Sequence, residues 1–473
     1  MNRYKSLIRN SFVMFLGNIG SKLIAFFMVP LYTFFLSTYE FGIIDIIMTS
    51  LQMLLPIITL TIFESVFRFS LDFEIQESNR ELKIIFSSAL LTVLLGNIAF
   101  LLFLPIINLF DFAYLFYVYV ILFLQSLQSL LSYFVRGLKK LKIFAINGML
   151  MSIIIAVGNI VLLSHFSMGI TGYIITVILA NSISIFYLFF MSKIWRFISF
   201  SEISFKRIKE MLNYSLPMIP NAFAWWINTA ASRFILLTFL GFAANGIFAV
   251  ATKIPSMLSM LNNIFFQSWK ISAVEEYKSE DKEKFYSQIF NLLAQLLFLS
   301  SSFILVLIRL ITGIVDESFS YFWFYVPVLL LGIIYNSFAG FLGSIYVAAK
   351  KTKGLFITTT IGAIVNVSLN LILVPTIGIN GAGIANMLGF FLVWILRVKD
   401  TSSELPISIN YKNMILNHLI FALQMLFFYN INYIKFLTFC QIVFFIMMIL
   451  INKSFLFNIL KVYKTTTLKP KLR

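Results

Sequence analysis

The sequence predicts an all-α, polytopic membrane protein of about fourteen transmembrane helices, built as two parallel six-helix repeats followed by two further helices. Three observations lead there. The chain of 473 residues is 60% hydrophobic and 12% charged, with a mean hydropathy of +0.94; an average soluble domain carries about twice that share of charge. Its apolar residues fall in runs of about twenty or more, the length that crosses a bilayer core as a helix. Its basic residues gather in alternate connections between those runs, the pattern that sets orientation in a membrane.

Taken in order, the spans fall near residues 11–36, 41–67, 84–107, 113–135, 143–164, 169–192, 212–240, 245–271, 287–312, 320–348, 355–376, 381–397, 413–430 and 434–452. The first is expected to be retained. The apolar stretch after the basic Met1–Asn10 segment is too long for a signal sequence, and no clear cleavage site follows it. The even-numbered connections and both termini hold most of the Lys and Arg, including Arg136, Lys139 and Lys140, then Lys193, Arg196, Lys206 and Lys209, then Arg397 and Lys399. The odd-numbered connections are short turns such as Ser37–Glu40, His165–Met168 and Gly241–Asn245. Both termini are therefore expected in the cytoplasm, and no extracytoplasmic domain is expected. The net charge of +17 serves topology rather than nucleic-acid binding. The single cysteine, Cys440, excludes an intrachain disulfide and a cysteine metal cluster. His165 and His418 read as ordinary structural residues.

The second half echoes the first. Ser11-Phe12-Val13-Met14 aligns with Ser215-Leu216-Pro217-Met218, and Gly42-Ile43 aligns with Gly246-Ile247 at the same offset. Gly169-Ile170-Thr171-Gly172 matches Gly378-Ile379-Asn380-Gly381 at the same outer turn of each half. Six spans separate the copies, so they run in the same orientation, a transporter arrangement. The expected domains are a six-helix lobe over 1–196, a second over 197–399, and the extra helices with a basic tail over 400–473.

Five cations, Lys22, Arg68, Arg233, Lys253 and Lys270, lie within or at the edges of four spans. A cation at mid-bilayer costs about 2.5–3.5 kcal/mol even on the lenient insertion scale. Lys22 is expected about twelve residues inside the first span, roughly 18 Å at 1.5 Å per residue, too deep to reach the headgroups easily. Asn18 extends its polar face. Arg233 follows Asn221 and Asn228 on the seventh span, and Lys253, Ser256, Asn263, Gln267 and Lys270 form a stripe on the eighth. This pattern fits a wet, positive vestibule for an anionic cargo, in which Arg forks and Lys point charges meet phosphate oxygens. Arg68 and Lys270, near the cytoplasmic ends, read better as topology anchors. The bland alternative is ion pairing between helices, for which the spans offer two acids, Asp45 and Glu64. The same two acids are the candidates for coupling transport to protons or sodium. Pro30, Pro56, Pro217, Pro220 and Pro255 mark hinges or fixed kinks. Trp225-Trp226 offers sugar stacking or, more simply, packing between helices. Nucleotide-binding loops, GxSxG and HExxH are missing from the sequence, and no cofactor or metal site is expected.

The runs Ser21-Lys22-Leu23-Ile24, Val29-Pro30-Leu31-Tyr32-Thr33, Glu40-Phe41-Gly42-Ile43-Ile44-Asp45 and Phe63-Glu64-Ser65-Val66-Phe67-Arg68-Phe69 resemble the opening of the Wzx-type oligosaccharide flippases. These polysaccharide biosynthesis proteins belong to the MOP superfamily with the MATE exporters and lipid II flippases. The resemblance implies a MATE-like fold, no enzymatic activity, and a bacterial cytoplasmic-membrane location. It implies transport of a polyprenyl-pyrophosphate-linked oligosaccharide by alternating access, with glycosyltransferases and a polymerase of the same pathway as partners. It implies that Lys22 and Arg233 line the substrate cavity; Lys253, Asn18, Asn228 and Asn263, read from the polar faces of their spans, complete the candidate substrate-binding set. A lipid II flippase is the nearest alternative. A MATE-type cation exporter would be expected to carry acids where Lys22 and Arg233 stand.

Overall fold

The computed structural model describes residues 24, 27–73, 79–107, 114–277, 279–349, 352–431 and 433–453, a few helical positions by backbone alone. The described residues form helices joined by turns, and no strand occurs among them. The chain divides into two compact units, Met1–Ala230 and Ala231–Arg473. Among the described residues, eleven helices are long and apolar enough to cross a membrane.

In the first unit, helical backbone over 27–35 leads into the turn at Ser37. The Ser37 hydroxyl accepts from the Glu40 N–H at 3.2 Å, and the Glu40 carboxylate accepts from the Ser37 N–H at 2.9 Å. This reciprocal pair satisfies donors that the first turn of α1 (Thr38–Ile58) would otherwise leave bare. The second span does not run unbroken over 41–67 as expected. It stops at Ile58 and restarts as α2 (Ile62–Ser70), with Leu60 and Thr61 in the left-handed region at φ 51° and 48°. Pro56 cannot donate to the Gln52 carbonyl, which weakens the ladder one turn before the break. Gly96, on α3 (Asn79–Ile107), lets that helix approach the Ile58 carbonyl so closely that a Cβ would overlap its oxygen.

Next come α4 (Leu115–Gly137), α5 (Leu141–Asn159), a π-helical turn (Ile160–His165) and α6 (Gly169–Ser192). The core of this unit joins Phe86, Phe134, Leu130 and Leu188 to Ile194, Phe197 and Met211 of the connector that follows α6. That connector ends in α7 (Phe205–Ser215).

Helix α8 (Met218–Glu276) begins in the first unit and continues in the second. Its one break is Gly241, at φ 80° and ψ −177°, where the sequence places the turn between the seventh and eighth spans. The second unit continues with α9 (Lys282–Thr312), a 3-10 segment (Glu317–Tyr325), α10 (Val326–Ala348), α11 (Thr352–Ile377), α12 (Ile379–Thr401), α13 (Tyr411–Asn430) and α14 (Ile434–Ile451). Its core is aromatic: Trp269 stacks on Phe341 at 4.6 Å and donates to the Ser344 hydroxyl at 2.9 Å. The last two helices are joined by amide pairs. Asn452 donates to Asn417 Oδ1 at 2.7 Å, and Gln441 donates to the Gln424 carbonyl at 2.9 Å. His418 packs edge-on against Phe298 at 4.8 Å, which is a structural role.

The two repeated glycine turns share one backbone feature. Gly169 and Gly378 both have positive φ, at 53° and 66°, and each opens the helix that follows. A Cβ at Gly172 would press on Met168 and Leu162 at 2.9 and 3.2 Å, and one at Gly381 would overlap the Leu373 backbone. Each motif thus needs its first glycine for backbone conformation and its second for close approach.

Candidate functional site

The expected site residues fall in separate places. Asn18 and Lys22 lie outside the described residues, as do the side chains of Asn228 and Lys270. Arg233, Lys253 and Asn263 stand on α8 in the second unit, the two cations half-buried and the asparagine exposed. Between Arg233 and Lys253, the Ala230–Asn263 stretch of α8 includes an 18-residue apolar window with a mean hydropathy of 2.1.

The two acids stand in the first unit, in different surroundings. Asp45 on α1 lies beside Tyr173 of α6. The Tyr173 ring meets Tyr32 edge-on at 5.5 Å, and the Tyr32 hydroxyl accepts from the Asn159 amide at 3.1 Å. The Asn159 Oδ1 is buried with no hydrogen-bond partner. Glu64 on α2 and Arg136 both lie close to Tyr133, the last two on α4. The Arg136 guanidinium lies over the Phe67 and Phe144 rings at 4.8 and 5.2 Å. Its charge is thus held by aromatic faces as well as by its polar neighbours. Arg68 pairs with Asp72 at 2.6 Å on the exposed end of α2, which fits a topology anchor.

Trp226 donates its indole N–H to the Thr49 carbonyl at 2.9 Å and stacks with Phe223 at 5.8 Å. It therefore ties the start of α8 to α1 within the first unit. A small cavity beside it is lined by Gln52, Pro56, Phe223 and Trp226. The side chain of Trp225 lies outside the described residues.

Arg397, at the expected end of the twelfth span, is not on a loose connection: α12 continues to Thr401 and buries it to 6% exposure. It donates to the Ala339 carbonyl at 2.6 Å, the Thr359 hydroxyl at 2.8 Å and the Thr358 hydroxyl at 3.0 Å. Gly343 makes room for it: a Cβ there would stand 2.8 Å from its Nη1. One turn on, Asp400 accepts from the Tyr346 hydroxyl at 2.6 Å. Neither Arg397 nor Asp400 was singled out from the sequence. The signal that existed was Thr358-Thr359-Thr360 on a neighbouring apolar helix, a run of hydroxyls with no evident use.

Compared with known proteins, residues 7–270 match the family model described as "Polysaccharide biosynthesis protein". No curated protein matches the chain. Among solved structures, the chain is similar to "Lipid II flippase MurJ, inward closed conformation", at 16% identity and a TM-score of 0.68, covering 95% of this chain and 99% of that one. It is also similar to an inward-facing multidrug resistance MATE family transporter of the MOP superfamily, at 13% identity and a TM-score of 0.63, covering 82% and 95%. An outward-facing transporter of the same description gives 14% identity and a TM-score of 0.57, covering 84% and 96%. At these identities the likeness is one of fold.

Proposed function

Because the chain belongs to the polysaccharide biosynthesis protein family and has the fold of MOP superfamily transporters, we propose that it flips a polyprenyl-pyrophosphate-linked oligosaccharide across the bacterial cytoplasmic membrane. The product serves surface polysaccharide assembly. The observation that carries this reading is the pair of half-buried cations, Arg233 and Lys253, on a helix otherwise apolar enough to cross a membrane. With Lys22, they meet the pyrophosphate: the Arg as a planar fork, the Lys residues as point charges. Asn18, Asn228 and Asn263 serve the sugar hydroxyls. The lobes over 1–196 and 197–399 alternate in exposing the site to either side, and both termini stay in the cytoplasm. No covalent bond is made or broken. Of the two acids, Glu64 lies close to a tyrosine that also neighbours Arg136, which suits pairing, whereas Asp45 stands beside a tyrosine, which suits coupling to a proton or sodium.

The test is surface glycan in cells carrying Arg233→Ala or Lys22→Ala, with protein in the membrane measured alongside. Both substitutions are expected to abolish surface glycan at unchanged protein level. Normal glycan in both would overturn the reading.

A further inference from the structure

The connector between α6 and α8 is not a slack loop. Ile194, Phe197 and Met211 are in the core of the first unit. The Ser87 hydroxyl donates to the Phe197 carbonyl at 3.1 Å and accepts from the Ser199 N–H at 2.9 Å. Ser65 and Thr61 of the broken second span donate to the Met211 and Ser215 carbonyls at 2.7 and 2.8 Å. Arg207 bridges Glu81 and Glu210 at 2.6 and 2.9 Å, and Arg80 reaches Glu202 at 3.1 Å.

These ties fix which side chains point outward, and the outward set is unusual. Trp195, Phe200 and Phe205 are 43%, 74% and 79% exposed. Lys193, Arg196, Lys206 and Lys209 are exposed beside them. The connector's acids, Glu202 and Glu210, are already engaged by arginines, so the outward charge is basic. Burial together with the neighbouring Lys193 and Arg196 holds the Lys140 ammonium below the usual lysine range, which fits a crowd of positive charge. The aromatic face continues that of α6, whose Phe186, Phe190 and Met191 are exposed where a membrane helix meets lipid. On α7, Phe205 and Lys209 are exposed one turn apart, and Leu216 is exposed at the helix's C-cap.

We propose that residues 193–216 form an interfacial anchor lying in the headgroup layer of the leaflet from which α6 emerges, and that it binds anionic phospholipid there. Aromatic rings and Leu216 sit at the acyl boundary while the four basic side chains meet headgroup phosphates, the arrangement by which amphipathic segments hold to a membrane surface. Water leaves three large aromatic side chains uncovered on a docked, hydrogen-bonded element; the membrane covers them. Neutral headgroups leave the basic side chains without counter-charge; anionic ones supply it. The anchor is independent of what the protein transports, so neither proposal falls with the other.

The experiment uses the full chain in vesicles of phosphatidylcholine alone and of phosphatidylcholine with phosphatidylglycerol in equal parts. The thermal midpoint is expected to rise by several degrees with phosphatidylglycerol, and the rise to shrink in high salt. A variant carrying Lys193→Gln, Arg196→Gln, Lys206→Gln and Lys209→Gln is expected to match the parent in neutral vesicles and to lose most of the rise. Lys282→Gln with Lys284→Gln, on another connection, is expected to keep it. Brominated lipid is expected to quench the parent's fluorescence more than that of Trp195→Phe. A full rise in the fourfold variant, an equal loss in the Lys282 and Lys284 variant, equal quenching with and without Trp195, or the same rise from inorganic phosphate in neutral vesicles would each overturn the proposal.

Discussion

Arg397 shows what a cation inside a membrane helix can be when it is not a substrate ligand. Its guanidinium is buried, and its hydrogen bonds run to hydroxyls and carbonyls of α10 and α11. A planar fork with several donors can serve these acceptors together; an ammonium at the same depth cannot reach them all. Arg397→Ala should therefore cost about 2–5 kcal/mol, through lost packing and the cavity left behind. Arg397→Lys should also lower the thermal midpoint in detergent, and an unchanged midpoint for the lysine variant would contradict the fork. Arg233→Ala should do the opposite, keeping the midpoint and losing transport. The sequence disclosed Arg233 and hid Arg397 for a physical reason. A basic residue in the middle of an apolar run announces itself, whereas one beside Lys399 and Asp400 looks like the start of a loop. Only the packing of α12 against Gly343 and the α11 threonines shows that the helix runs one turn further.

At the scale of elements, the glycines separate what pattern can reveal from what it cannot. The paired motifs at Gly169 and Gly378 were legible because two glycines at fixed spacing between apolar runs signal a tight, closely packed turn, and both turns carry the positive φ that such a signal implies. The break at Thr59–Thr61 was not legible. It contains no glycine, the apolar run continues through it, and the proline that weakens the ladder stands one turn earlier. What holds it is tertiary: the Thr61 hydroxyl on Ser215 and the close passage of Gly96 over the Ile58 carbonyl. Two consecutive left-handed residues of ordinary type cost on the order of 1–3 kcal/mol each, so they persist only where the surroundings enforce them. Gly96→Ala forces a methyl group into a backbone carbonyl and should lower the thermal midpoint markedly. Gly148→Ala, where a Cβ meets nothing within 4 Å, should leave the midpoint unchanged or raise it. Equal behaviour of the two variants would show that the close approach of α3 is not what fixes the break.

At the scale of the whole molecule, the fold class was the most legible feature, because hydropathy and charge act over the full length of the chain and need no knowledge of contacts. The same bias predicts orientation, and the chain's composition makes that prediction easy to test. Cys440 is its single cysteine, so Cys440→Ser gives a background in which any new thiol reports alone. His165 and Ile314 are exposed at turns expected outside; Ser201 and Ser402 are exposed on connections expected inside. A membrane-impermeant maleimide added to intact cells should label His165→Cys and Ile314→Cys, and should label Ser201→Cys and Ser402→Cys only after permeabilisation. The outer pair is separated in sequence by the connector and the whole of α8, so both label from the same side only if the number of crossings between them is even. Labelling of one outer position without the other would therefore make the number of crossings between residues 165 and 314 odd, against the four expected there. Labelling of Ser201→Cys in intact cells would place the basic connector outside, away from the leaflet that the charge bias assigns to it.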